Sequence, residues 1–307
     1  MNEKVKKVAD KAHRLTDEKL EEMERHLSAI YSRAKKEVGK TWTQYMKEAA
    51  KELEELQEAY DLAKKSGDKD EIKRTGKALG RAKREVTIKN RHYKTLTESL
   101  AREIAHVNET AVSYINDQLP EVYALNYNAL KESVDGVGGY VFELVDADTV
   151  KHLALTDKSL LPYKKLDLRK DIPWNMKKIN SEVLQGIIQG EGMDKIAKRI
   201  GNVQEMNKNA SIRTARTIVT GAENKGRFDS YQRATDDGII LKEEWISTND
   251  SRTRHSHAIM DGETKGIDGK FSNGLAFPGD PNGEPSEVYN CRCTMAARVL
   301  GFKKVKR

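Results

Sequence analysis

Two imidazoles and two thiols lie near the end of this 307-residue chain, each pair with one residue between its members: His255 and His257, then Cys291 and Cys293. Imidazole and thiolate are ligand types that zinc takes, usually four in a tetrahedron. Between the pairs, Gly262, Gly266, Gly269, Gly274, Gly279 and Gly283 alternate with Pro278, Pro281 and Pro285, a composition of turns. Such a loop buries little apolar surface to offset the entropy of ordering it, and a metal would clip it. If the first pair is extended, its imidazoles face opposite ways. His257 is therefore the expected ligand, with Cys291 and Cys293, and with Asp250 or Asp261 as an oxygen donor; the expected cofactor is one structural zinc. The spacing argues against it, because zinc ligand pairs usually stand two or more residues apart. The alternative buries Cys291 and Cys293 as small hydrophobes, with His257 hydrogen-bonded inside the fold. Neighbouring cysteines of this spacing rarely bridge each other, so a reducing compartment is the simplest setting.

Catalysis is a further option. Asp250, His257 and a cysteine could stand as base and nucleophile, and an Asp/His cluster beside a basic surface would suit a metal-dependent nuclease acting on DNA. The sequence lacks the paired acids that hold catalytic magnesium and lacks a glycine-rich phosphate loop. No catalytic residue is assigned, and Asp250, Arg252 and Arg254 then read as a salt-bridged turn.

The second chemical feature is a basic stripe. Lys73, Arg74, Lys77, Arg81, Lys83, Arg84, Lys89, Arg91 and Lys94 face one acid, Glu85, so this segment carries +8 in a chain whose net charge is +7. A phosphate-contacting surface is the functional reading, and its binding to double-stranded DNA would be salt-dependent and nonspecific. An acidic protein surface or plain solvation are the alternatives. Gly76 and Gly80 weaken a helix there or allow a close approach by another backbone.

The elements that must carry these groups are mostly helical. Charged residues make up 34%, hydrophobic 37% and aromatic 6%, which suits long solvated helices. The first proline is Pro120. Leu96, Leu100, Ile104, Val107, Ala111, Ile115 and Leu119 form one face of a helix over 91–119, which Pro120 stops or restarts through Leu130. An earlier helix is expected over 41–65, with Tyr45, Leu53, Leu56, Tyr60 and Ala63 inward, and a turn at 66–68; these two helices are expected to pair as an antiparallel hairpin. A strand is expected at 141–145, helices at 175–189, 193–200 and 205–235, and short strands at 239–241 and around Trp245. The fold class is mainly α, with a smaller α+β C-terminal domain, long N-terminal helices and a loop-rich end. Three parts follow: a charged, partner-binding 1–135, a linking 136–173 and a C-terminal 174–307. No apolar run is long enough to span a bilayer, and the first residues lack the apolar core of a secretory signal.

Taken together, Trp245, Asp250, Arg252, Arg254, His257, Asp261-Gly262, Phe277-Pro278, Pro281 and Asn290-Cys291-Arg292-Cys293-Thr294 resemble the signature of the tailed-bacteriophage minor head proteins, the head morphogenesis family that includes the Mu F-like proteins. Ala215-Arg216-Thr217, Asn224, Gly226 and Arg227 resemble its preceding helix, with Ile218 where the family carries Glu. The resemblance covers about residues 170–300. It implies a minor component of the phage head that associates with the portal protein during head assembly and affects DNA delivery into the host; with the basic stripe, the expected function adds nonspecific contact with packaged DNA and requires no turnover. Scaffolding or major capsid protein are further implied partners. The implied location is the virion, in the head interior near the portal, after assembly in the host cytoplasm.

Overall fold

The computed structural model describes residues 1–85, 91–134 and 143–303. Helix α1 runs over Asn2–Ser66, α2 over Lys69–Glu85, α3 over Arg91–Val134, α4 over Ala147–Thr156, α5 over Leu168–Ile188 and α6 over Met193–Asp236. Strand β1 (Ile239–Ile246), helix α7 (His255–Ile259), strand β2 (Thr264–Lys265), helix α8 (Pro285–Val288) and strand β3 (Thr294–Phe302) follow. The expected class holds: the molecule is mainly α, with a small antiparallel sheet of order β2-β1-β3 at the loop-rich end.

Several boundaries move. The helix expected over 41–65 is the latter part of one helix that begins at residue 2, because Val5, Ala9, Ala12, Thr16, Met23, Leu27, Tyr31, Ala34, Val38 and Trp42 recur at helical spacing and are buried. Of the inward residues expected farther along, Ala63 is buried, while Tyr45, Leu53, Leu56 and Tyr60 are half-buried. Pro120 neither stops nor restarts α3. A proline inside a helix costs roughly 3 kcal/mol, and the buried Ile115, Leu119, Val122 and Tyr123 around it offset that. The two helices expected at 193–200 and 205–235 are one, α6, held through Gly201 by the buried Ile200 and Val203. Residues 143–146 are not a strand, and 141–142 lie outside the described residues.

The chain forms two compact units, neither of them a single stretch. Unit 1 comprises 1–27, 112–165 and 210–307; unit 2 comprises 28–111 and 166–209. In unit 2, Val38 and Trp42 of α1 pack with Leu100 and Ile104 of α3, Ile179 and Val183 of α5, and Ile196, Ile200 and Val203 of α6. A buried polar ladder joins the same helices: the Tyr31 hydroxyl donates to Asn108 Oδ1 at 2.7 Å, Asn108 Nδ2 to Asn207 Oδ1 at 2.7 Å, and Asn207 Nδ2 to Asn175 Oδ1 at 3.0 Å. Gly76 of α2 faces the Tyr60 ring, where an added Cβ would come within 3.0 Å of a ring carbon; the close neighbour is a side chain rather than another backbone, and Gly80 has nothing within 4 Å.

Unit 1 is built around a buried cation. Arg227 of α6, 1% exposed, donates from Nε to Asn126 Oδ1 on α3 (2.9 Å), from Nη1 to the Met295 carbonyl on β3 (2.6 Å) and from Nη2 to the Ala9 carbonyl on α1 (2.8 Å). Its charge is met by the buried Glu223 at 3.2 Å, which also takes His13 Nδ1 at 2.8 Å and the Thr294 hydroxyl at 2.9 Å. One residue earlier, Gly226 lets α6 cross α3, since a Cβ there would lie 2.4 Å from the Tyr123 carbonyl oxygen.

The Glu223 carboxylate raises the His13 pKa to about 9, against the opposing effect of burial; Asp17 adds to the rise and Arg227 subtracts from it. A raised imidazole pKa stabilises the fold fully below its ordinary value near 6.5, and that stabilisation is lost as pH climbs through about 9. Thermal melting of wild type against His13→Gln should therefore show a wild-type advantage at pH 6 that shrinks by pH 10. A gap that is constant with pH would contradict the pairing.

Candidate functional site

Strand β1 places Trp245 inward, and its antiparallel pairing sets Trp245 opposite Met295 and Ile246 opposite Thr294. Cys293 therefore arrives beside the end of β1, where Trp245, Met260, Phe271, Leu275, Val288, Cys291 and Cys293 form one buried cluster. The short helix α7 carries His257 into it, edge-on to Trp245 with ring centroids 5.3 Å apart. His255, on the same helix, is exposed.

The three expected ligands meet. His257 Nδ1 lies 3.4 Å from Cys293 Sγ and 3.6 Å from Cys291 Sγ, and their ligand atoms all lie within 4.8 Å of one another. Tetrahedral zinc, with bonds of about 2.3 Å to sulfur and about 2.0 Å to nitrogen, requires N···S edges of roughly 3.5 Å. The ligand types and the two N···S spacings suit that ion, and the set supplies three of the four ligands it usually takes. His257 Nε2 is occupied by the Glu287 carboxylate at 2.8 Å, the outer partner that metal-bound imidazoles usually have. Among the described residues this is the only group of three or more His, Cys, Asp or Glu side chains arranged to hold a metal.

The two thiols are driven in opposite directions. The Cys291 thiol, then His257, pull the Cys293 pKa down to about 5 against burial, while Cys291 is pushed well above its ordinary value by its neighbour Cys293 and by burial. Burial lowers the His257 pKa, but Cys293 and Glu287 outweigh it and leave it raised.

Neither expected oxygen donor joins the group. Asp250 is held by both Arg292 guanidinium nitrogens, at 2.7 and 2.5 Å, and that pairing keeps its carboxyl far below the usual range. Asp261 accepts from the Ser247 amide at 2.8 Å and Asn249 Nδ2 at 2.9 Å. These bonds turn the chain after β1. Arg252 pairs with Asp250 at 3.7 Å, and Arg254 donates to the Tyr289 carbonyl. Asn290 takes φ 56°, and its amide donates to the Thr217 hydroxyl of α6 at 3.1 Å. Thr220 Oγ1 donates to the Cys291 carbonyl at 2.9 Å, and Asn224 Nδ2 to the Cys293 carbonyl at 3.3 Å. The motif residues thus hold loop backbone against α6. The Asp250–His257–cysteine arrangement weighed as a catalytic option does not assemble, since Asp250 pairs with Arg292. The Cys293–His257–Glu287 line that does form is sealed, with Cys293 2% and His257 1% exposed. A nucleophile has to meet its substrate, so the chemistry this arrangement supports is binding. The sequence reading missed Glu287, one of several acids in a polar loop, and missed His13 and Glu223, whose partners are distant in sequence.

The basic stripe is partly described. Lys73, Arg74, Lys77 and Arg81 are exposed on α2 and Lys94 on α3, with Arg74 paired to Glu71 at 3.3 Å. Lys89 lies outside the described residues, as do the side chains of Lys83, Arg84 and Arg91.

Residues 177–296 match the family described as Phage Mu protein F like protein. The chain is 23% identical over 286 residues to the minor head protein GP7 of Bacillus phage SPP1, covering 92% of this chain and 87% of that protein. It is also 29% identical over 126 residues to the NAD(+)–arginine ADP-ribosyltransferase EFV of Enterococcus faecalis (strain ATCC 700802 / V583). That match covers 40% of this chain, which spans 26% of the transferase's length. No solved structure matches.

Proposed function

We infer that this chain, which carries a Phage Mu protein F-like domain, is a non-enzymatic minor head protein of a tailed bacteriophage. It binds the portal protein, contacts packaged double-stranded DNA nonspecifically, and supports head assembly and delivery of DNA into the host. One observation carries the reading: the likeness to a phage minor head protein runs over 92% of this chain and 87% of that one. The transferase match lacks that end-to-end character. Long helices with solvated faces suit contact with other head components, scaffolding or major capsid protein included. No described helix is long and apolar enough to cross a membrane. The working place is the interior of the virion head near the portal, reached from the host cytoplasm during assembly.

Co-expressed with the portal protein of its own phage, the chain should co-elute with the portal ring on size exclusion. Separate elution at micromolar concentrations would contradict portal binding.

The clasp of His257, Cys291 and Cys293 holds one structural zinc, with Glu287 orienting the imidazole. Zinc would tie the loop together there; the chain's part is to bring two sulfurs and Nδ1 to one point, three of the four ligands that zinc usually takes. Elemental analysis should give about one zinc per chain, lost in Cys293→Ser. Glu287→Gln should weaken zinc retention against a chelator about 10- to 100-fold. A folded, metal-free protein with two titratable thiols would leave the buried-thiol alternative in its place.

A further inference from the structure

Unit 2 carries a lysine-lined groove that the sequence reading did not single out. It runs between the 32–47 part of α1 and the 197–205 part of α6, with a volume of about 940 Å³. Lys36, Lys40, Thr43 and Lys47 recur along one stripe of α1. At 1.5 Å per residue, these lysines are spaced by about 6 and 10 Å, a scale on which phosphates succeed one another along a nucleic-acid strand. Lys198 faces them from α6. Gly39 and Gly201 line the groove without side chains, and a Cβ on Gly201 would come within 3.0 Å of Lys35. One acid lines the groove, Glu205, and it stands 3.9 Å from Lys35. Lys40 is paired with Glu37 at 2.8 Å. Lys36, Lys47 and Lys198 have no carboxylate within ion-pair distance among the described residues.

Unit 2 contains 27 lysines and arginines against 20 acids and unit 1 contains 28 of each, but the 73–94 stripe alone carries +8, so the case for the groove rests on its own lining.

The lining chooses among anionic partners. Stable protein partners anchor on aromatic and large apolar side chains, and single strands stack their bases on aromatics. This groove has neither; it offers lysines, Thr43, Gln44, Ser32 and Ala197. Cations and hydroxyls without stacking or apolar anchors suit a phosphodiester backbone whose bases stay paired.

We propose that the groove between α1 and α6 in unit 2 is a seat for the phosphate backbone of duplex DNA, separate from the basic stripe on α2. This rests on the DNA contact inferred above and gives it a second surface. Each lysine seated on a phosphate contributes about 0.9 to the slope of log affinity against log salt.

The test is fluorescence anisotropy of a short labelled duplex with the full chain over a salt series. Lys36→Gln/Lys47→Gln/Lys198→Gln should bind roughly 10-fold more weakly, with a slope shallower by about 2 to 3 and an unchanged far-UV spectrum. The corresponding triple arginine variant should bind like wild type, showing that charge at these positions matters. A glutamine variant that binds like wild type, while Lys73→Gln/Lys77→Gln loses affinity, would overturn the groove and leave the DNA reading standing. A wild-type chain that ignores duplex DNA even at low salt would overturn both. Displacement by poly-glutamate as effective as by duplex of equal charge would assign the groove to an acidic protein and overturn the proposal.

Discussion

The C-terminal architecture depends on burying one guanidinium. Arg227 has five N–H donors and no acceptor, and leaving such a charge unpaired inside a protein costs several kcal/mol. Its partners come from four places in the chain: the Ala9 carbonyl, Asn126, Glu223 and the Met295 carbonyl. Satisfying Arg227 therefore fixes α1, α3 and β3 around α6. Glu223 extends the same constraint to His13 and to Thr294, the residue after Cys293. The thiols are thus placed from two sides, by the strand that begins at Thr294 and by the α6 side chains Thr220 and Asn224.

Polar residues that look reactive in sequence are engaged in holding backbone. Asp250 and Arg292 close a turn, Asp261 caps backbone after β1, and Thr217 holds the left-handed Asn290. A loop with so many glycines and prolines has little regular hydrogen bonding of its own, so side chains supply it. The buried Trp245–Phe271–Met260 cluster provides the apolar part, and the imidazole with its two thiols lies inside it.

Much of the site was legible because its residues lie close in sequence and are chemically distinctive. His257 was separable from His255, and Cys291 and Cys293 were natural companions. The amphipathic face of α3 was legible too, since Leu100, Ile104, Ala111, Ile115 and Leu119 keep helical spacing and are all buried. Long-range pairing was not legible: nothing near His13 announces Glu223, and nothing near Glu287 announces His257. Pro120 and Gly201 look like breaks locally, yet packing on both sides carries α3 and α6 through them. The basic stripe announced itself as a run, whereas the groove lysines are spread over two helices with acids between them in sequence.

The central claim is that the loop between β1 and β3 is a clasp that opens only with the helices it grips. Native-state hydrogen exchange, read peptide by peptide, tests it most directly. The account predicts that amides of the 247–293 loop engaged with α6 share the opening free energy of α6 itself. Loop amides that exchange freely while α6 stays protected would contradict it.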